Sequence, residues 1–336
     1  MTVGLTDRAI GVVIGCAALG LGIFGCTRDK SSAPSPAVAP VTKSHRAEPV
    51  LAFPLPCDTL EPIPLRYPAA RRVVAFGDVH GDLEATRRIL RTVGAIGSED
   101  RWIGGDLIVV QTGDVLDRGD QEREILELFR QLETQAAKAG GRFIALNGNH
   151  EFMNAVGDFR YVTDGGFKNF ADIEAAGLQD IDEAKRGRVA AFLPGGQFAR
   201  LLAERNVVAI VGDTVFVHGG VELDAAQYGL DRINGEGRCF LAGKLSKTPD
   251  FVSDDNGPIW SRDFAFAGAC KQLAKVLDEL GAKRMVVGHT TNTEGVSSDC
   301  DGAVWRIDVG LADYYGGPSQ AIELIDGTVR VVGDSQ

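Results

Sequence analysis

The order of apolar runs, polar loops and helical stretches along the chain is the strongest constraint on its fold. Residues 72–76, 106–112 and 143–146 are short apolar runs, and each predicts a buried strand. Apolar residues at helical spacing follow the first two polar loops, over 83–93 and from about 121 to 138. Strands that alternate with helices indicate an α/β fold, in which ligands bind at the carboxyl ends of the strands.

The rest of the chain continues this pattern after a less regular segment. Residues 152–205 have a mostly helical pattern and are expected to form a helical insertion over the site. Two strands are predicted around Gly212-Asp213, and another over 285–289, which ends in His289, follows a helix at 271–280. Three more strands are predicted near the end of the chain, at 303–307, 321–325 and 328–332.

Four of the five histidines directly follow strand-like runs, namely His80, His150, His218 and His289. Asp78, Asp114, Asp117 and Asn149 lie in the same loops. A single histidine in such a position is usually structural, but four of them have no shared structural explanation. Mixed Asp, His and Asn donors suit Mn, Fe or Zn better than Ca. Two cations need a shared carboxylate, and Asp114 on the middle strand is the natural candidate.

The polar loops resemble, in order, the motifs of the PPP-type metallophosphatases. They are Gly77-Asp78-Val79-His80-Gly81, Gly113-Asp114-Val115-Leu116-Asp117-Arg118-Gly119, Gly148-Asn149-His150-Glu151, His218-Gly219-Gly220 and Gly288-His289. Further segments resemble the Shewanella-like protein phosphatase branch of that family, at 151–154, 157–162, 257–262, 308–310 and 315–317. The resemblance implies the calcineurin-like fold, in which two central mixed β-sheets are sandwiched by helices.

The resemblance also implies roles for the loop residues. Asp78 and His80 would hold one divalent ion, and Asp114 would bridge it to a second. Asn149, His218 and His289 would complete the second site. A hydroxide that bridges both cations would attack phosphorus directly, because coordination lowers the pKa of water from ~15.7 towards 7.

The remaining loop residues would act on the substrate. Arg118, Arg262 and Asn149 would bind the phosphoryl oxygens, since a guanidinium fork matches their geometry. His150 would protonate the leaving group, and Asp117 would orient its imidazole.

The activity implied is hydrolysis of phosphomonoesters in a phosphoprotein or phosphopeptide, on phosphotyrosine, phosphoserine or phosphothreonine. Two alternatives stay open. One is hydrolysis of dinucleoside polyphosphates or other small phosphate esters, and the other is a lipid-tethered protein that binds metal or phosphate without turnover. A net charge of −11 argues against nucleic acid as a partner, because phosphate backbones favour basic surfaces.

The N-terminal residues predict export from a bacterial cytoplasm. An uncharged run of 17 residues, Ala9 to Gly25, precedes Cys26 and is typical of a signal peptide. Ile23-Phe24-Gly25-Cys26 resembles a lipobox, which predicts a signal peptide over 1–26 and lipidation at Cys26. Residues 27–68, rich in Pro, Ala and Ser, would tether a domain over 69–336 outside the cytoplasm, facing the periplasm or exterior. An uncleaved membrane anchor or plain secretion is the alternative.

Four cysteines follow the predicted signal peptide, at Cys57, Cys239, Cys270 and Cys300. They lack the CxxC spacing of a zinc site. In an exported protein one or two disulfides are plausible, with three possible connectivities for two bridges. Buried free thiols are the alternative.

Overall fold

The computed structural model describes residues 60–334 of the chain. The strands are β1 Arg66–Tyr67, β2 Arg72–Phe76, β3 Ile108–Gln111, β4 Arg142–Ala145, β5 Val208–Val211, β6 Thr214–Val217, β7 Arg284–Val287, β8 Ser297–Asp299, β9 Val304–Arg306, β10 Gln320–Ile325 and β11 Thr328–Gly333. The α-helices are α1 Leu83–Thr92, α2 Glu122–Lys138, α3 Asn149–Ala155, α4 Asp164–Lys168, α5 Glu183–Phe192, α6 Gln197–Leu202, α7 Leu223–Tyr228, α8 Leu230–Leu241 and α9 Cys270–Leu280. Short 3₁₀ turns lie at Asp250–Val252 and Cys300–Gly302.

The strands form two mixed sheets. One has the order β11-β10-β2-β3-β4 and the other the order β1-β5-β6-β7-β9-β8. In the first sheet β2, β3 and β4 are parallel, with Val74 opposite Val109 and Val109 opposite Phe143. In the second sheet β6, β7 and β9 are parallel. Each sheet therefore brings the polar loops that follow its parallel strands to one edge.

A buried apolar layer lies between the two sheets. The first sheet contributes Ala75 and Val110, and the second contributes Phe216 and Val286, all fully buried. A second and larger apolar cluster joins the outer faces of the sheets to the helices, including Ile89 of α1 and Phe129 of α2. The sandwich of two mixed sheets between helices, expected from the resemblance, is confirmed.

The predicted strands all lie where the apolar runs placed them, with ends that differ by one or two residues. The two-residue strand β1 was not predicted, because Pro-rich sequence surrounds it. It pairs with β5, and Leu65 beside it is buried. Leu65 and β1 therefore lie within residues 27–68, which composition assigned to the linker. The predicted signal peptide, the lipidation at Cys26 and most of the predicted linker lie outside the described residues.

Helices α4, α5 and α6 and most of α3 lie within residues 152–205, where a helical segment was predicted. Cys270 at the start of α9 forms a disulfide with Cys300, which settles one pairing that the sequence left open. Among residues 60–334, no helix combines the length and apolar character needed to cross a bilayer.

Candidate metal centre

The predicted donor residues meet where strands of both sheets end. Asp78 and His80 follow β2, Asp114 follows β3, Asn149 begins α3 just after β4, and His218 and His289 follow β6 and β7. We call these six residues the metal centre. All six are buried. The fold thus brings together side chains that are up to 211 positions apart in the chain, as in the contact of His289 N–H with Asp78.

Two groups of potential metal donors share one carboxylate. His80, Asp114 and His150 form one group, and Asp114, His218 and His289 form the other, with donor atoms within 4.8 Å of one another in each. His218 Nε2 lies 3.2 Å from Asp114 Oδ2 and 2.8 Å from Asn149 Oδ1. Asp114 therefore has the central position that a bridging ligand needs.

Asp78 lies beside both groups. Its Oδ2 is 3.9 Å from His80 Nε2, and its Oδ1 is 3.8 Å from His218 Nδ1. Burial, followed by the negative charges of Asp308 and Asp114, raises the pKa of Asp78 well above its usual range. Carboxylates crowded in this way favour a cation between them.

Backbone carbonyls set the tautomers of two of the imidazoles. His80 Nδ1 donates to the Leu116 carbonyl at 2.9 Å, and His218 Nδ1 donates to the Thr112 carbonyl at 3.0 Å. A proton on Nδ1 leaves the lone pair of Nε2 free to bind a metal, the arrangement common in metal-binding histidines. The Nε2 atoms of both residues face Asp114.

The donor set fits divalent metal ions. His289 Nε2 is buried and lacks a hydrogen-bond partner within residues 60–334, which is costly unless a ligand binds it. Burial lowers the pKa of His289 to about 2, with help from His218. Burial likewise lowers the pKa of His80 to about 4. Both imidazoles are therefore neutral near pH 7, which is the state that coordinates metals.

The backbone of two glycines passes very close to the carboxylates of the metal centre. A Cβ atom on Gly148 would lie 2.2 Å from Asp114 Oδ1, and one on Gly288 would lie 2.6 Å from Asp78 Oδ1. Only glycine lets these loops approach the carboxylates so closely. Five of the nine non-glycine residues with positive φ between 60 and 334 belong to this site and its border: His80, Asp114, Asp117, Arg118 and His289. Strained backbone of this kind is concentrated at functional sites.

His150 and Asp117 form a buried pair at the border of the metal centre. His150 Nδ1 lies 2.5 Å from Asp117 Oδ2, and His150 Nε2 lies 3.7 Å from Asp114 Oδ2. Burial opposes protonation of His150, but Asp114 and Asp117 outweigh it and raise its pKa above the usual value. The imidazole thus presents Nε2 to the metal centre while Asp117 holds Nδ1.

The two predicted phosphate-binding arginines contact different residues around the site. The Arg118 guanidinium is stacked on the Tyr161 ring at 4.5 Å, and Tyr161 lies 5.2 Å from the His150 ring. Arg262 Nη1 donates to Thr290 Oγ1 at 2.7 Å, next to His289. Both guanidinium groups therefore adjoin residues of the metal centre or its border.

Sequence reasoning assigned no role to Glu151, although it stands in one of the quoted motifs. Its carboxylate is fully buried and accepts hydrogen bonds from the backbone N–H groups of residues 114–116 and of Gly148, at 2.7–3.2 Å. Glu151 therefore ties the loop after β3 to the start of α3. Its position directly after Asn149-His150 was the available signal.

Asp308, after β9, was also missed as a residue of the site. It is buried, and it accepts hydrogen bonds from Thr291 Oγ1 at 2.7 Å and from the Gly310 N–H at 3.0 Å. Its charge contributes to the raised pKa of Asp78. Asp308 thus supports the loop that follows His289.

Comparison with known proteins agrees with this geometry. Residues 71–292 match the Calcineurin-like phosphoesterase family. Shewanella-like protein phosphatase 2 of Arabidopsis thaliana is 38% identical over 295 residues, covering 76% of this chain and 75% of the relative. Shewanella-like protein phosphatase 1 of Plasmodium berghei is 31% identical over 261 residues, covering 74% and 69%. The crystal structure of a cold-active protein-tyrosine phosphatase of a psychrophilic Shewanella species has a TM-score of 0.68 and 28% identity, covering 80% of each chain.

The chain belongs to the calcineurin-like phosphoesterases, and its relatives support the Shewanella-like protein phosphatase branch. It is a metallophosphoesterase, a hydrolase whose family implies divalent metal ions. The resemblance that the ordered motifs suggested is confirmed.

Proposed function

We propose that the protein is a phosphoprotein phosphatase that hydrolyses phosphomonoesters by direct attack of water activated between two divalent ions. The observation that carries the proposal is the shared position of Asp114 in both donor groups, with the His150–Asp117 pair beside it. A shared carboxylate is what a two-metal site requires, and the adjacent imidazole supplies a proton donor.

The metal ligands proposed are the six residues of the metal centre, with Asp114 as the bridge. When bound, the ions would supply a water of lowered pKa and neutralise the charge of the phosphoryl oxygens. The mixed donor set supports Mn, Fe or Zn.

The remaining residues would act on the substrate itself. Arg118, Arg262 and Asn149 would bind and orient the phosphoryl group. His150 would donate the proton on Nε2 to the leaving oxygen, since its Nδ1 is committed to Asp117. Asp117 would keep the ring in that orientation.

The names of similar proteins support protein substrates. The Shewanella enzyme is described as a protein-tyrosine phosphatase, and the two relatives as protein phosphatases. Tyr161 and Tyr314 are exposed beside Arg118, where an aryl phosphate would contact them. We therefore include phosphotyrosine with phosphoserine and phosphothreonine among the proposed substrates.

The experiment is an activity profile of the purified protein, stripped of metal and reloaded with Mn, Fe or Zn in turn. Phosphotyrosine, phosphoserine and phosphothreonine peptides are compared with diadenosine tetraphosphate. Preferential release of phosphate from a peptide supports the proposal. Preference for the dinucleotide favours the small-ester alternative, and loading with metal but no turnover favours a binding protein.

We also propose that the protein is exported and lipidated at Cys26, with the part of the predicted linker before β1 as the tether of the folded domain. The Cys270–Cys300 disulfide supports an oxidising compartment, where such bonds persist. Labelling cells with a radioactive fatty acid tests this proposal. Label should be lost in Cys26→Ser and retained in the matched control Cys16→Ser, and label retained in Cys26→Ser contradicts it.

A further inference from the structure

The carboxylate of Asp117 is held from two sides. Its Oδ2 lies 2.5 Å from His150 Nδ1. Its Oδ1 accepts from Arg188 Nη2 and from Asn154 Nδ2, both at 3.0 Å. Glu122 completes this group by accepting from the Asp117 N–H. We refer to Asp117, Glu122, Asn154 and Arg188 as the Asp117 cluster, whose four residues are fully buried.

Arg188 reaches the cluster from α5, 71 positions along the chain from Asp117. All three of its guanidinium nitrogens donate hydrogen bonds. Nε donates to Asn154 Oδ1 at 2.8 Å, Nη1 donates to Glu122 and to the Gly166 carbonyl, and Nη2 donates to Asp117 and Glu122. Because the guanidinium is a planar fork of donors and every nitrogen is bonded, all of these hydrogen bonds can form in one orientation only.

Aromatic rings hold the guanidinium in place as well. Its carbon lies 5.4 Å from the centre of the Phe170 ring and 5.1 Å from that of Phe192. A Cβ atom on Gly187 would lie 2.2 Å from the Phe170 carbonyl oxygen, so glycine there allows α5 to approach this closely. The position of Arg188 is therefore determined by packing as well as by charge.

The Arg188 guanidinium restricts the rotation of the Asp117 carboxylate. Turning the carboxylate about its Cβ–Cγ bond would break the bonds of Oδ1 to Arg188 and Asn154. Oδ2 is therefore kept towards His150 Nδ1, and the ring keeps Nε2 towards Asp114, 3.7 Å away. The buried guanidinium also offsets part of the negative charge of Asp117 and Glu122.

We propose that Arg188 is a positioning residue, which holds Asp117 so that His150 presents Nε2 to the leaving oxygen. The inference rests on the proposed function, in which His150 is the proton donor. The competing interpretation is that Arg188 only fastens α5 to the core. In that case its loss lowers stability without changing how turnover depends on the leaving group.

Two variants and a matched control separate these interpretations. Arg188→Met removes the fork but keeps an apolar chain against Phe170. Arg188→Lys keeps the charge and loses the fork. Arg123→Met is the control, because Arg123 also lies over Phe170, at 5.9 Å, but bonds to Asp172 rather than to Asp117.

Steady-state kinetics of the metal-loaded full chain with two leaving groups gives the first measurement. Arg188→Met should lower kcat while KM stays within about twofold. The loss should be roughly tenfold larger with phenyl phosphate than with p-nitrophenyl phosphate, because the poorer leaving group depends more on the proton donor. Arg188→Lys should recover part of the rate, and Arg123→Met should leave the ratio unchanged. Equal losses on both substrates in Arg188→Met overturn the proposal.

A second measurement does not depend on turnover. In protein labelled with ¹⁵N-histidine, which has five histidines, the Nδ1 proton of His150 is the signal that disappears in His150→Asn. It should shift or vanish in Arg188→Met and persist in Arg123→Met. An unchanged signal in Arg188→Met overturns the proposal, and if that variant does not fold, Arg188→Lys decides by the same comparison. Wild-type protein that hydrolyses neither ester removes the proposed function, while the imidazole signal still decides the positioning of Asp117.

Discussion

The metal centre and the Asp117 cluster lie side by side, and both bury charged side chains. In the metal centre, His289 Nε2 is buried without a partner among the described residues, and the negative charge of Asp114 helps to raise the pKa of Asp78. In the Asp117 cluster, every guanidinium nitrogen of Arg188 has an acceptor. The metal centre thus leaves a buried nitrogen free to bind a ligand, whereas the hydrogen bonds of Arg188 are all made within the chain. The two neighbouring regions therefore differ in how their buried nitrogens are bonded.

The largest effect is expected from Asp114→Asn, which tests the metal centre. This change removes the carboxylate shared by both donor groups, so turnover of p-nitrophenyl phosphate should fall by more than the roughly 10–100-fold that outer-shell changes cost. Metal content, measured by elemental analysis, should fall with it. Circular dichroism should show a retained fold, because the Asp117 cluster and the core are untouched. A variant with near wild-type rate refutes the bridging role.

The next largest effect is expected from His150→Asn. His150 lies between the metal centre and the Asp117 cluster. Loss of the proton donor should slow an alkyl phosphate by roughly 10²–10⁴-fold and p-nitrophenyl phosphate by less, because p-nitrophenolate leaves readily. Metal content should stay near that of the wild type, since Asp114, His80 and His218 remain. Comparable slowing of both substrates, together with loss of metal, would assign His150 to the metal centre instead.

Chelation should affect the two regions differently. A ligand that binds only the folded state at one hundred times its Kd stabilises that state by about 2.7 kcal/mol. Denaturant unfolding of wild-type protein should therefore show a loss of this order after treatment with EDTA. Asp114→Asn should show a much smaller loss, because it holds less metal. Equal sensitivity of both proteins to EDTA would mean that the stabilising ion lies elsewhere.

The smallest effect is expected from Asp82→Ala. Asp82 lies two residues after His80, but both of its carboxylate oxygens are occupied, by the N–H groups of Ala85 and Asp313 at 2.8 Å. The change should cost about 1 kcal/mol of unfolding free energy through the lost helix cap, and metal content should not change. Loss of metal in this variant would show that Asp82 contributes to the metal centre.

Much of the fold could be predicted from local pattern. The runs that became β2, β3 and β4 are short and apolar and have a glycine within three residues of their ends, so their positions are visible in the sequence. Strands β1 and β8 were missed, because β1 stands among prolines and β8, with the sequence Ser-Ser-Asp, has no apolar run. Both are edge strands of the second sheet, where pairing with a neighbour rather than composition decides the conformation.

The donor atoms of the site were predictable for a related reason. Each stands in the loop after a strand, and the parallel strands of one sheet bring their loops to one edge whatever the length of chain between them. The meeting of the two sheet edges depends on how the sheets pack. Glu151 and Asp308 stand in equally polar surroundings, yet their roles depend on which backbone N–H groups they meet. That information is absent from the local sequence.

The sequence by itself determined the order of strands and helices, the donor types and the glycines that let backbone approach Asp114. These depend on residue type and spacing, which act over a few positions. The tertiary structure alone decided the burial and the contacts of Arg188. In the sequence it stands after Glu183-Ala184-Lys185-Arg186-Gly187, where a solvent-exposed charge would be expected, but it is fully buried. Its partners Asp117 and Glu122 are 71 and 66 positions away, and only packing of α5 against the loop after β3 brings them together.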